Sequence, residues 1–520
     1  MPTPTTSSNV ISVNWSGDIR IDALMFGQRW TNSTISYSFP NQYSFWSTDP
    51  FTGYGPENGD EEPWSSAFSP LTPSDQEAFN LALQRWSNVA AIQFNPVAES
   101  QFTVGDLRAA YTFTTEMTGA EAWTYLPTGI PAGGDIWFNK ESNSAKVKWA
   151  EGNYSFLTAM HEIGHALGLT HPFDNRQFPA SLDTMSSTIM SYSAIAGDKS
   201  SGLTFYPTTP MLLDILAIQH MYGANELYHR EDNVYQFDDT RTYHETIWDG
   251  GGIDWIQYHG TQAARIDLRE AEGSSIGNTV MALDSNSEHA IPNVWIAYGT
   301  VIEHAQGGQS DDLLIGNDHD NILVGGNGRD TLVGLGGRDT FHGEAGVDTV
   351  LYLGERVRYV VSQSDGGYTV VDQAGSDGQD NATGIERLQF NDMGLALDLD
   401  GYAGQVAKLL GAVFGAAEVD NKAYVGTGLW LFDGGMNHEA VATVALDAAG
   451  VSTHDEVVTL LWRNLFGSNP TQAEKQPYLQ VLESGEVSAA ALAIYAADSA
   501  INTGNIDFVG LMQTGIEYTM

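Results

Sequence analysis

The chain has no cysteine among its 520 residues. This absence excludes disulfide bonds, zinc sites built from thiolates and cysteine nucleophiles. Because cytosolic proteins usually keep a few thiols, the composition favours an exported protein whose stability does not depend on disulfides.

Basic residues are scarce, with 22 lysines and arginines against 65 aspartates and glutamates and a net charge of −43. A chain of this charge is repelled by nucleic acid and by anionic membrane surfaces, so we expect neither as a partner. The excess of carboxylates instead indicates a protein that binds hard cations through oxygen ligands.

Long apolar runs are also absent. No stretch approaches about 18 uninterrupted apolar residues, so we predict no membrane span. Residues 1–30 are polar and lack the apolar core of a signal peptide, and we expect a weakly structured leader there. The chain is long enough for about three domains, and its 42% of hydrophobic residues is typical of globular proteins.

Sequence patterns divide the rest of the chain into three segments. Residues 31–232 mix strand patterns with long helical ones, such as the apolar spacing from Phe79 to Trp86, and predict an α+β domain. Residues 233–400 are rich in glycine and in short alternating strands. Residues 401–520 lose the glycine pattern and predict a mainly α-helical module of unknown role.

The motif HEIGHALGLTH begins at His161 and brings three histidines and a glutamate close together in the chain. His161 and His165 are four residues apart, so on a helix both imidazoles lie on one face and can hold one zinc ion. Glu162 lies beside them, where its carboxylate can contact a metal-bound water without being a ligand.

The same motif offers a third ligand. Gly168 can take the left-handed conformation that turns the chain sharply, so that His171 returns towards the helix. Three protein ligands and a water are typical of a catalytic zinc site, whereas a structural site uses four protein ligands. The alternative is an amphipathic helix with satisfied histidines, which does not account for the glutamate, the glycine and the third histidine at these spacings.

The extended motif HEIGHALGLTHP resembles that of the metzincin metallopeptidases, and of the serralysins in particular. Serralysins pair it with a methionine turn, to which TIMSYS is similar, with Met190 and Tyr192. The resemblance implies that Met190 packs under the zinc site. It also implies that Tyr192 is a labile zinc ligand at rest or a hydrogen-bond donor to the oxyanion. Similar segments such as STISYSFP and WDGGGID extend the resemblance over roughly residues 30–350.

The resemblance implies a metzincin-type α+β catalytic domain and a zinc-dependent endopeptidase. In this chemistry zinc polarises the scissile carbonyl and lowers the pKa of its water. Glu162 takes the proton as general base and returns it to the leaving amine. Tyr192 shares the oxyanion charge with the metal as transition-state stabiliser. Protein or peptide substrates, and a protein inhibitor, are the partners that this resemblance suggests.

The segment GGDIWFN resembles the edge strand along which extended substrates lie in this family. A peptide that adds to such a strand is held by main-chain hydrogen bonds. Gly134, Ile136 and Phe138 are therefore candidate substrate-binding residues, with an ordinary structural strand as the alternative.

From Gly307 the chain reads GGQSDDLLI, GNDHDNILV, GGNGRDTLV, GLGGRDTFH and GEAGVDTVL, which are five units with a period of nine. The unit resembles the RTX repeat, which builds a parallel β-roll around calcium. The resemblance implies that residues 233–400 form a calcium-binding RTX domain, and the alternating strands from Val350 to about Asp400 predict a β cap. The resemblance implies that the apolar eighth residue fills the core and the sixth supplies an oxygen ligand. The sixth residues are Asp312, Asn321, Asp330, Asp339 and Asp348.

Turns alternate between the two sides of such a roll, so ligands two repeats apart can share an ion. The candidate pairs are Asp312 with Asp330, Asn321 with Asp339, and Asp330 with Asp348. Ser310, His319 and Leu335 stand where the repeat has glycine. We therefore expect two or three strong sites and some weak or empty ones.

Further calcium positions of the family match Asp249 and Asp254 of WDGGGID and Glu303 of VIEH. RTX proteins resemble one another in passing unfolded through a type I secretion channel and folding on external calcium. The resemblance thus predicts a secreted, extracellular bacterial protein that uses type I secretion machinery without an N-terminal signal peptide.

Two functions from different classes fit these features. The first is a secreted zinc endopeptidase stabilised by structural calcium. The second is a non-enzymatic, calcium-binding RTX surface or matrix protein whose peptidase domain is a relic. The complete set of zinc ligands, base, methionine and tyrosine favours the first function.

Overall fold

The computed structural model describes residues 1–57, 59–364 and 366–519. The chain divides into two compact units. The first consists of residues 1–260 and 267–302, and the second of residues 261–266 together with the chain from residue 303 onwards. In the described ranges, no helix has both the length and the apolar character that a membrane crossing requires.

The first unit has a mixed sheet packed against long helices. The strands before residue 233 are β1 (Val10–Ser12), β2 (Gln28–Trp30), β3 (Thr34–Ser38), β4 (Ser69–Pro70), β5 (Gln93–Pro96), β6 (Leu107–Thr112), β7 (Ala122–Thr124), β8 (Asp135–Asn139) and β9 (Gly202–Leu203). The helices are α1 (Ile19–Asp22), α2 (Pro73–Val89), α3 (Tyr154–Leu167) and α4 (Leu212–Tyr222). The main sheet has the order β5–β3–β6–β8–β7, and β4 pairs with β6. This arrangement is the α+β organisation that the sequence predicts.

Helices α2 and α3 form where apolar residues recur at helical spacing. The hydroxyl of Thr72 caps α2 by accepting the N–H of Asp75. Phe79, Leu83 and Trp86 are buried along one face of α2. Helix α3 is buried along nearly its whole length, so its side chains are held in a packed core.

Residues 1–30 are more ordered than the predicted leader. Strand β1 pairs with β2, and Met25 bridges to Leu169 beyond the end of α3. Leu24 is fully buried and Trp30 is nearly so. The physical reason is that these apolar side chains join the core of the first unit, which a count of polar residues does not reveal.

Residues 233–302, which the sequence assigns to the glycine-rich segment, lie in the first compact unit except for residues 261–266. Their strands are β10 (Val234–Phe237), β11 (Glu245–Ile247), β12 (Trp255–Tyr258), β13 (Arg265–Asp267), β14 (Gly273–Ser274), β15 (Val280–Leu283), β16 (Glu288–Ile291) and β17 (Val294–Ile296). Trp248, Val280 and Trp295 belong to the core of the first unit. The compact division therefore falls near residue 302, and the boundaries at 30, 232 and 400 stay predictions.

The second unit contains parallel strands that repeat along the chain. Its strands after residue 302 are β18 (His304–Gln306), β19 (Leu313–Ile315), β20 (Ile322–Gly328), β21 (Thr331–Val333), β22 (Thr340–Gly346), β23 (Thr349–Leu351), β24 (Tyr359–Ser364), β25 (Gly367–Asp372), β26 (Gln379–Thr383), β27 (Arg387–Gln389), β28 (Gly394–Ala396) and β29 (Ile516–Tyr518). One sheet contains β18–β20–β22–β26–β25–β24, and another contains β19–β21–β23–β27–β28–β29.

Successive parallel strands are offset by two nine-residue repeats. His304 pairs with Ile322, and Ile322 pairs with Thr340 in the next strand. The eighth residues of the repeats are fully buried: Leu314, Leu323, Leu332, Phe341 and Val350. Leu335, which replaces a glycine of the repeat, has a φ of 71° and keeps the left-handed turn despite its side chain.

Helices follow the strands in the second unit. They are α5 (Tyr402–Phe414), α6 (Lys422–Asp433), α7 (His438–Ala448), α8 (His454–Phe466), α9 (Gln472–Glu483), α10 (Ala489–Ala497), α11 (Ala500–Asn505) and α12 (Phe508–Thr514). Val406, Leu461 and Ala493 are buried in a core that these helices share. Strand β29 then returns to pair with β28. The helices are therefore inserted in the chain between two strands that are neighbours in one sheet.

Candidate metal centre and cleft

Three imidazoles converge at the end of helix α3. His161 and His165 lie one turn apart on this helix, and Gly168 ends it in the left-handed conformation with a φ of 106°. The chain then turns back and brings His171 to the other two. The Nε2 atom of His171 lies 3.0 Å from that of His165 and 3.3 Å from that of His161.

The three rings are oriented so that the lone pairs of their Nε2 atoms face one another. Nδ1 of His161 donates to the carbonyl of Ile189 at 2.7 Å, and Nδ1 of His165 donates to the carbonyl of Leu169 at 2.8 Å. A carbonyl only accepts, so both rings carry their proton on Nδ1 and keep the Nε2 lone pair free. Nδ1 of His171 lies 3.4 Å from a carboxylate oxygen of Asp174, which favours the same tautomer.

Zinc fits this donor set. A tetrahedral ion with Zn–N bonds of about 2.0–2.1 Å separates its ligand nitrogens by about 3.3 Å, close to the spacing of these Nε2 atoms. Burial lowers the pKa of all three histidines, to about 3 for His165, and so keeps the rings neutral. In the described chain, these residues form the one group of three or more histidine, aspartate or glutamate side chains whose ligand atoms all lie within 4.8 Å of one another.

Gly168 is the residue that makes this turn. A Cβ atom there would lie 2.4 Å from the backbone oxygen of Gln28 and 2.9 Å from a methyl of Met221. We predict that Gly168→Ala destabilises the first unit by about 2 kcal/mol or more, through backbone strain and this clash. It should also weaken zinc binding, because His171 is displaced. Thermal unfolding and zinc titration measure both effects.

Gly223 provides the matched control for that substitution. It ends α4 with a φ of 88°, but a Cβ atom there would meet nothing closer than 3.8 Å. Gly223→Ala should therefore show only the strain of a positive φ and leave the zinc affinity unchanged. Equal zinc affinities for both variants would contradict the role assigned to Gly168.

Met190 packs against Gly164 of α3, which lies between His161 and His165 in the chain. It is fully buried, and a Cβ atom at Gly164 on α3 would lie 2.8 Å from its sulfur. The turn that carries it is held by Asp214. This carboxylate accepts the hydroxyl of Thr188 at 2.5 Å and the N–H of Ile189 at 2.7 Å. Burial raises the pKa of Asp214 to about 7, against the effect of these hydrogen bonds.

Tyr192 reaches the imidazoles from the loop after the methionine. Its hydroxyl donates to Nε2 of His171 at 2.9 Å, and 40% of the residue is exposed. Partial burial raises the pKa of this phenol, so it stays protonated at neutral pH and can donate a hydrogen bond. Phe173 stacks on His171 with ring centroids 4.7 Å apart, and Nζ of Lys199 lies over the Phe173 ring.

Glu162 lines a cavity of about 340 Å³ beside the imidazoles, together with Tyr192 and the apolar side chains of Leu157, Met185 and Ile189. Only 5% of Glu162 is exposed. Its Oε2 accepts the hydroxyl of Thr124 at 2.7 Å. Burial raises the pKa of this carboxyl to about 7, and the hydrogen bond from Thr124 acts in the opposite direction.

The repeat carboxylates form a second set of candidate ligands, in the second unit. The sixth residues of the repeats are all buried: Asp312, Asn321, Asp330, Asp339 and Asp348. Oδ1 of Asp330 accepts the N–H of Asp312 at 2.8 Å, and Oδ1 of Asp348 accepts the N–H of Asp330 at 2.9 Å. Oδ1 of Asp339 accepts the N–H of Asn321 at 2.9 Å. The structure thus brings together the three pairs that the sequence predicts.

The second oxygens of three of these carboxylates have no hydrogen-bond partner. Within the described ranges, Oδ2 of Asp330, Asp339 and Asp348 is buried without one. Burial raises the pKa of Asp330 to about 6, of Asp348 to about 7 and of Asp339 to about 8. Buried carboxylates of this kind are stabilised by protonation or by a cation.

The remaining predicted calcium residues are divided between the units. In the first unit, Asp249 accepts the hydroxyl of Tyr235 at 2.6 Å, and Asp254 accepts the N–H of Asn233 at 2.7 Å. In the second unit, the backbone oxygen of Glu303 accepts Nδ2 of Asn321 at 2.7 Å. All three stay predictions as calcium ligands.

Two family models match consecutive stretches of the chain. A Matrixin model matches residues 69–187, which contain the three histidines, and a model for the Peptidase M10 serralysin C terminal matches residues 214–365. Serralysin of Photorhabdus laumondii subsp. laumondii is 33% identical over 346 residues, which cover 60% of this chain and 66% of that protein.

Across the matched residues the chain is serralysin-like.

Other relatives are similar to shorter parts of the chain. Metalloprotease AprA of Pseudomonas entomophila is 33% identical over 282 residues, or 48% of this chain and 54% of that protein. Serralysin A of Dickeya chrysanthemi is 37% identical over 257 residues, or 45% and 51%. The chain thus covers just under two thirds of the Photorhabdus serralysin and about half of these two relatives. Neither matched family model extends beyond residue 365.

The expected substrate strand needs correction. Strand β8, which carries Ile136 and Phe138, pairs with β6 on one side and with β7 on the other. Its hydrogen-bonding edges are therefore occupied, and both side chains are buried. Gly134 donates its N–H to the carbonyl of Tyr125. The outer strand of the sheet is β7, so the three residues predicted to bind substrate are structural.

Sequence reasoning missed several residues at these sites. Thr124 contacts Glu162, and Asp214 holds the turn that carries Met190, each from a distant part of the chain. Asp380 and Glu386 continue the ladder of repeat carboxylates, because they accept the N–H groups of Asp339 and Asp348 at 3.0 and 2.8 Å. For Asp380 and Glu386, the only sequence signal was that short alternating strands continue after the nine-residue period ends.

Proposed function

We propose that this chain is a secreted zinc endopeptidase that hydrolyses peptide bonds in proteins. The observation that carries the proposal is the convergence of three neutral imidazoles beside a buried glutamate on the wall of a cavity. His161, His165 and His171 would hold the metal. When bound, zinc supplies a Lewis acid that polarises a peptide carbonyl and lowers the pKa of water.

Glu162 is proposed as the general base. Burial raises the pKa of its carboxyl to about 7, which suits a group that takes up and releases a proton near neutral pH. Its carboxylate lines the cavity, so it can accept a proton from water and return it to the leaving amine. Tyr192 keeps its proton and is proposed to donate a hydrogen bond to the oxyanion as transition-state stabiliser.

We propose β7 as the strand on which an extended substrate lies. It is the outer strand of its sheet, and Ala122 of this strand lines the same cavity as Glu162. A peptide paired with an outer strand is held by main-chain hydrogen bonds, which suit substrates of varied sequence. Because the main chain supplies much of the binding, fewer substrate side chains need pockets of their own.

The repeats are proposed to form an RTX β-roll that binds structural calcium. The support is the 18-residue spacing of the carboxylate ladder and the partnerless Oδ2 atoms of Asp330, Asp339 and Asp348. Calcium takes carboxylate and backbone oxygens, and both are present along the glycine turns. Asp312 and Asn321 are further proposed ligands from their places in the ladder. Asp249, Asp254 and Glu303 are proposed from their match to family positions.

Calcium-dependent folding suits export through a type I secretion channel into an extracellular medium. The buried carboxylates repel one another until a cation is bound, which couples folding to calcium. The secretion machinery, protein substrates and a protein inhibitor are the proposed partners. The helices from residue 402 onwards are proposed as a mainly helical module within the second unit, without an assigned role.

Cleavage of casein by the purified, calcium-folded protein tests the proposed function. We expect cleavage that stops when zinc is removed by a chelator and returns when one equivalent of zinc is added back. Calcium must be kept in excess throughout, so that loss of the roll is not mistaken for loss of zinc. Undiminished cleavage without zinc would contradict the proposal, and no cleavage by the zinc-loaded protein would favour the non-enzymatic alternative.

A further inference from the structure

Thr124 is the last residue of β7 and contacts the proposed general base. Its hydroxyl donates to Oε2 of Glu162 at 2.7 Å. Within the described chain, this is the one hydrogen bond that the Glu162 carboxylate accepts. Glu162 is almost completely buried, so water offers few alternative donors on this side of the carboxylate.

The strand holds the hydroxyl of Thr124 in a fixed place. Thr124 pairs with Ile136 of β8, and the next residue, Tyr125, exchanges backbone hydrogen bonds with Asp135 and Gly134 at 3.0 and 2.7 Å. The hydroxyl of Tyr125 also donates to Glu62 at 2.9 Å. Threonine is branched at Cβ and has few side-chain rotamers. The donor is therefore immobile before any substrate arrives.

Glu162 needs such a partner, because α3 fixes only its backbone. A glutamate side chain has three rotatable bonds, and its carboxylate can turn away from the cavity unless something holds it. A base must meet its proton within hydrogen-bond distance, and a displacement of about 1 Å can cost about 100-fold in rate. One oxygen held by Thr124 leaves the other free for the reaction.

We propose that Thr124 is a positioning residue, which holds the Glu162 carboxylate in its working orientation through this hydrogen bond. The proposal rests on the proposed peptidase function. It differs from a purely structural role, in which Thr124 would only pack β7 against α3. A valine keeps the shape of threonine and removes the donor, so it separates the two roles.

The test compares Thr124→Val and Thr124→Ser with the wild-type protein. We expect Thr124→Val to lower kcat at least about tenfold, the effect of losing a hydrogen bond to a charged group. KM should stay within about twofold, because substrate contacts are unchanged. Thr124→Ser keeps the donor and should restore most of kcat. Zinc content should equal that of the wild type in both variants.

Crystal structures supply a readout that does not depend on activity. In the wild-type protein and in Thr124→Ser, the Glu162 carboxylate should occupy one rotamer. In Thr124→Val it should occupy a different rotamer or several. A single unchanged rotamer together with wild-type kcat in Thr124→Val would overturn the proposal, and so would a serine variant no more active than the valine variant.

Thr112 provides a matched control. It is a buried threonine on β6, and its hydroxyl donates to the backbone oxygen of Glu62 at 2.7 Å. Thr112→Val should lower thermal stability and leave kcat unchanged. If Thr124→Val does not fold, Thr124→Ser and Thr124→Ala give the same comparison of donor against no donor. An inactive wild-type protein contradicts the proposed function, and the rotamer of Glu162 then decides the role of Thr124.

Discussion

Replacing Glu162 by glutamine is expected to lower kcat for peptide hydrolysis by about 10²- to 10⁴-fold, the usual contribution of a general base. Glutamine has nearly the same shape and still accepts the hydroxyl of Thr124. It cannot take up a proton at neutral pH, so the step that activates water is lost. The zinc content should stay at one ion per chain, because three imidazoles hold the metal.

Steady-state kinetics with a fluorogenic peptide and metal analysis of the same samples measure both quantities. Glu77→Gln is the matched control, since Glu77 is exposed on the solvent face of α2 and should have wild-type kcat. A Glu162→Gln variant that binds zinc and keeps more than about a tenth of wild-type kcat would exclude Glu162 as the base. Loss of zinc with loss of activity would instead indicate that Glu162 supports the metal site.

Removing calcium is expected to unfold the parallel strands of the second unit. The buried Oδ2 atoms of Asp330, Asp339 and Asp348 lack partners, and burying a charge without a partner is strongly unfavourable. Calcium at about 100 times its Kd stabilises a folded protein by about 2.7 kcal/mol per site. Two or three sites of this strength would account for most of the stability of a typical domain.

Asn321 shows why the aspartates in particular need a cation. Its Nδ2 group donates to the backbone oxygen of Glu303 at 2.7 Å and to Asn317 at 3.0 Å. The neutral amide thus finds protein acceptors at the same position of the repeat where Asp339 and Asp348 have a partnerless oxygen. The expected calcium sites therefore lie at the aspartates.

Circular dichroism during a calcium titration tests this prediction. We expect β-sheet signal to appear cooperatively as calcium is added and to disappear with a chelator. Asp348→Asn should raise the calcium concentration at the midpoint. The control is Asp320→Asn, because Asp320 is exposed and its Oδ1 only accepts the N–H of Arg338 at 2.9 Å. An unchanged spectrum on chelation would contradict the proposed β-roll.

The metal centre was predictable from the sequence because its geometry is local. His161 and His165 share a helix face, and Gly168 turns the chain within a few residues, so spacing alone brings His171 to them. The nine-residue period was equally informative. It predicted the burial of the apolar eighth residues and the pairing of carboxylates 18 residues apart, since both follow from a repeated turn.

The strand that borders the cleft was not predictable in the same way. The segment GGDIWFN has the pattern of a strand, and the structure confirms a strand there. Whether this strand is the outer one depends on the short segment Ala122–Thr124. That segment pairs with it and takes the outer position. An alternating pattern indicates which face is buried but not which neighbours a strand has.

The sequence by itself therefore predicted the convergence of the three histidines, the nine-residue repeat and the α+β character of the first unit. The tertiary structure decided that β7 is the outer strand, that Thr124 contacts Glu162 and that Asp214 holds the methionine turn. It also placed residues 233–260 and 267–302 in the first unit. The reason is physical. Local spacing sets the contacts within one helix or one repeat, whereas contacts between distant segments depend on how those segments pair and pack.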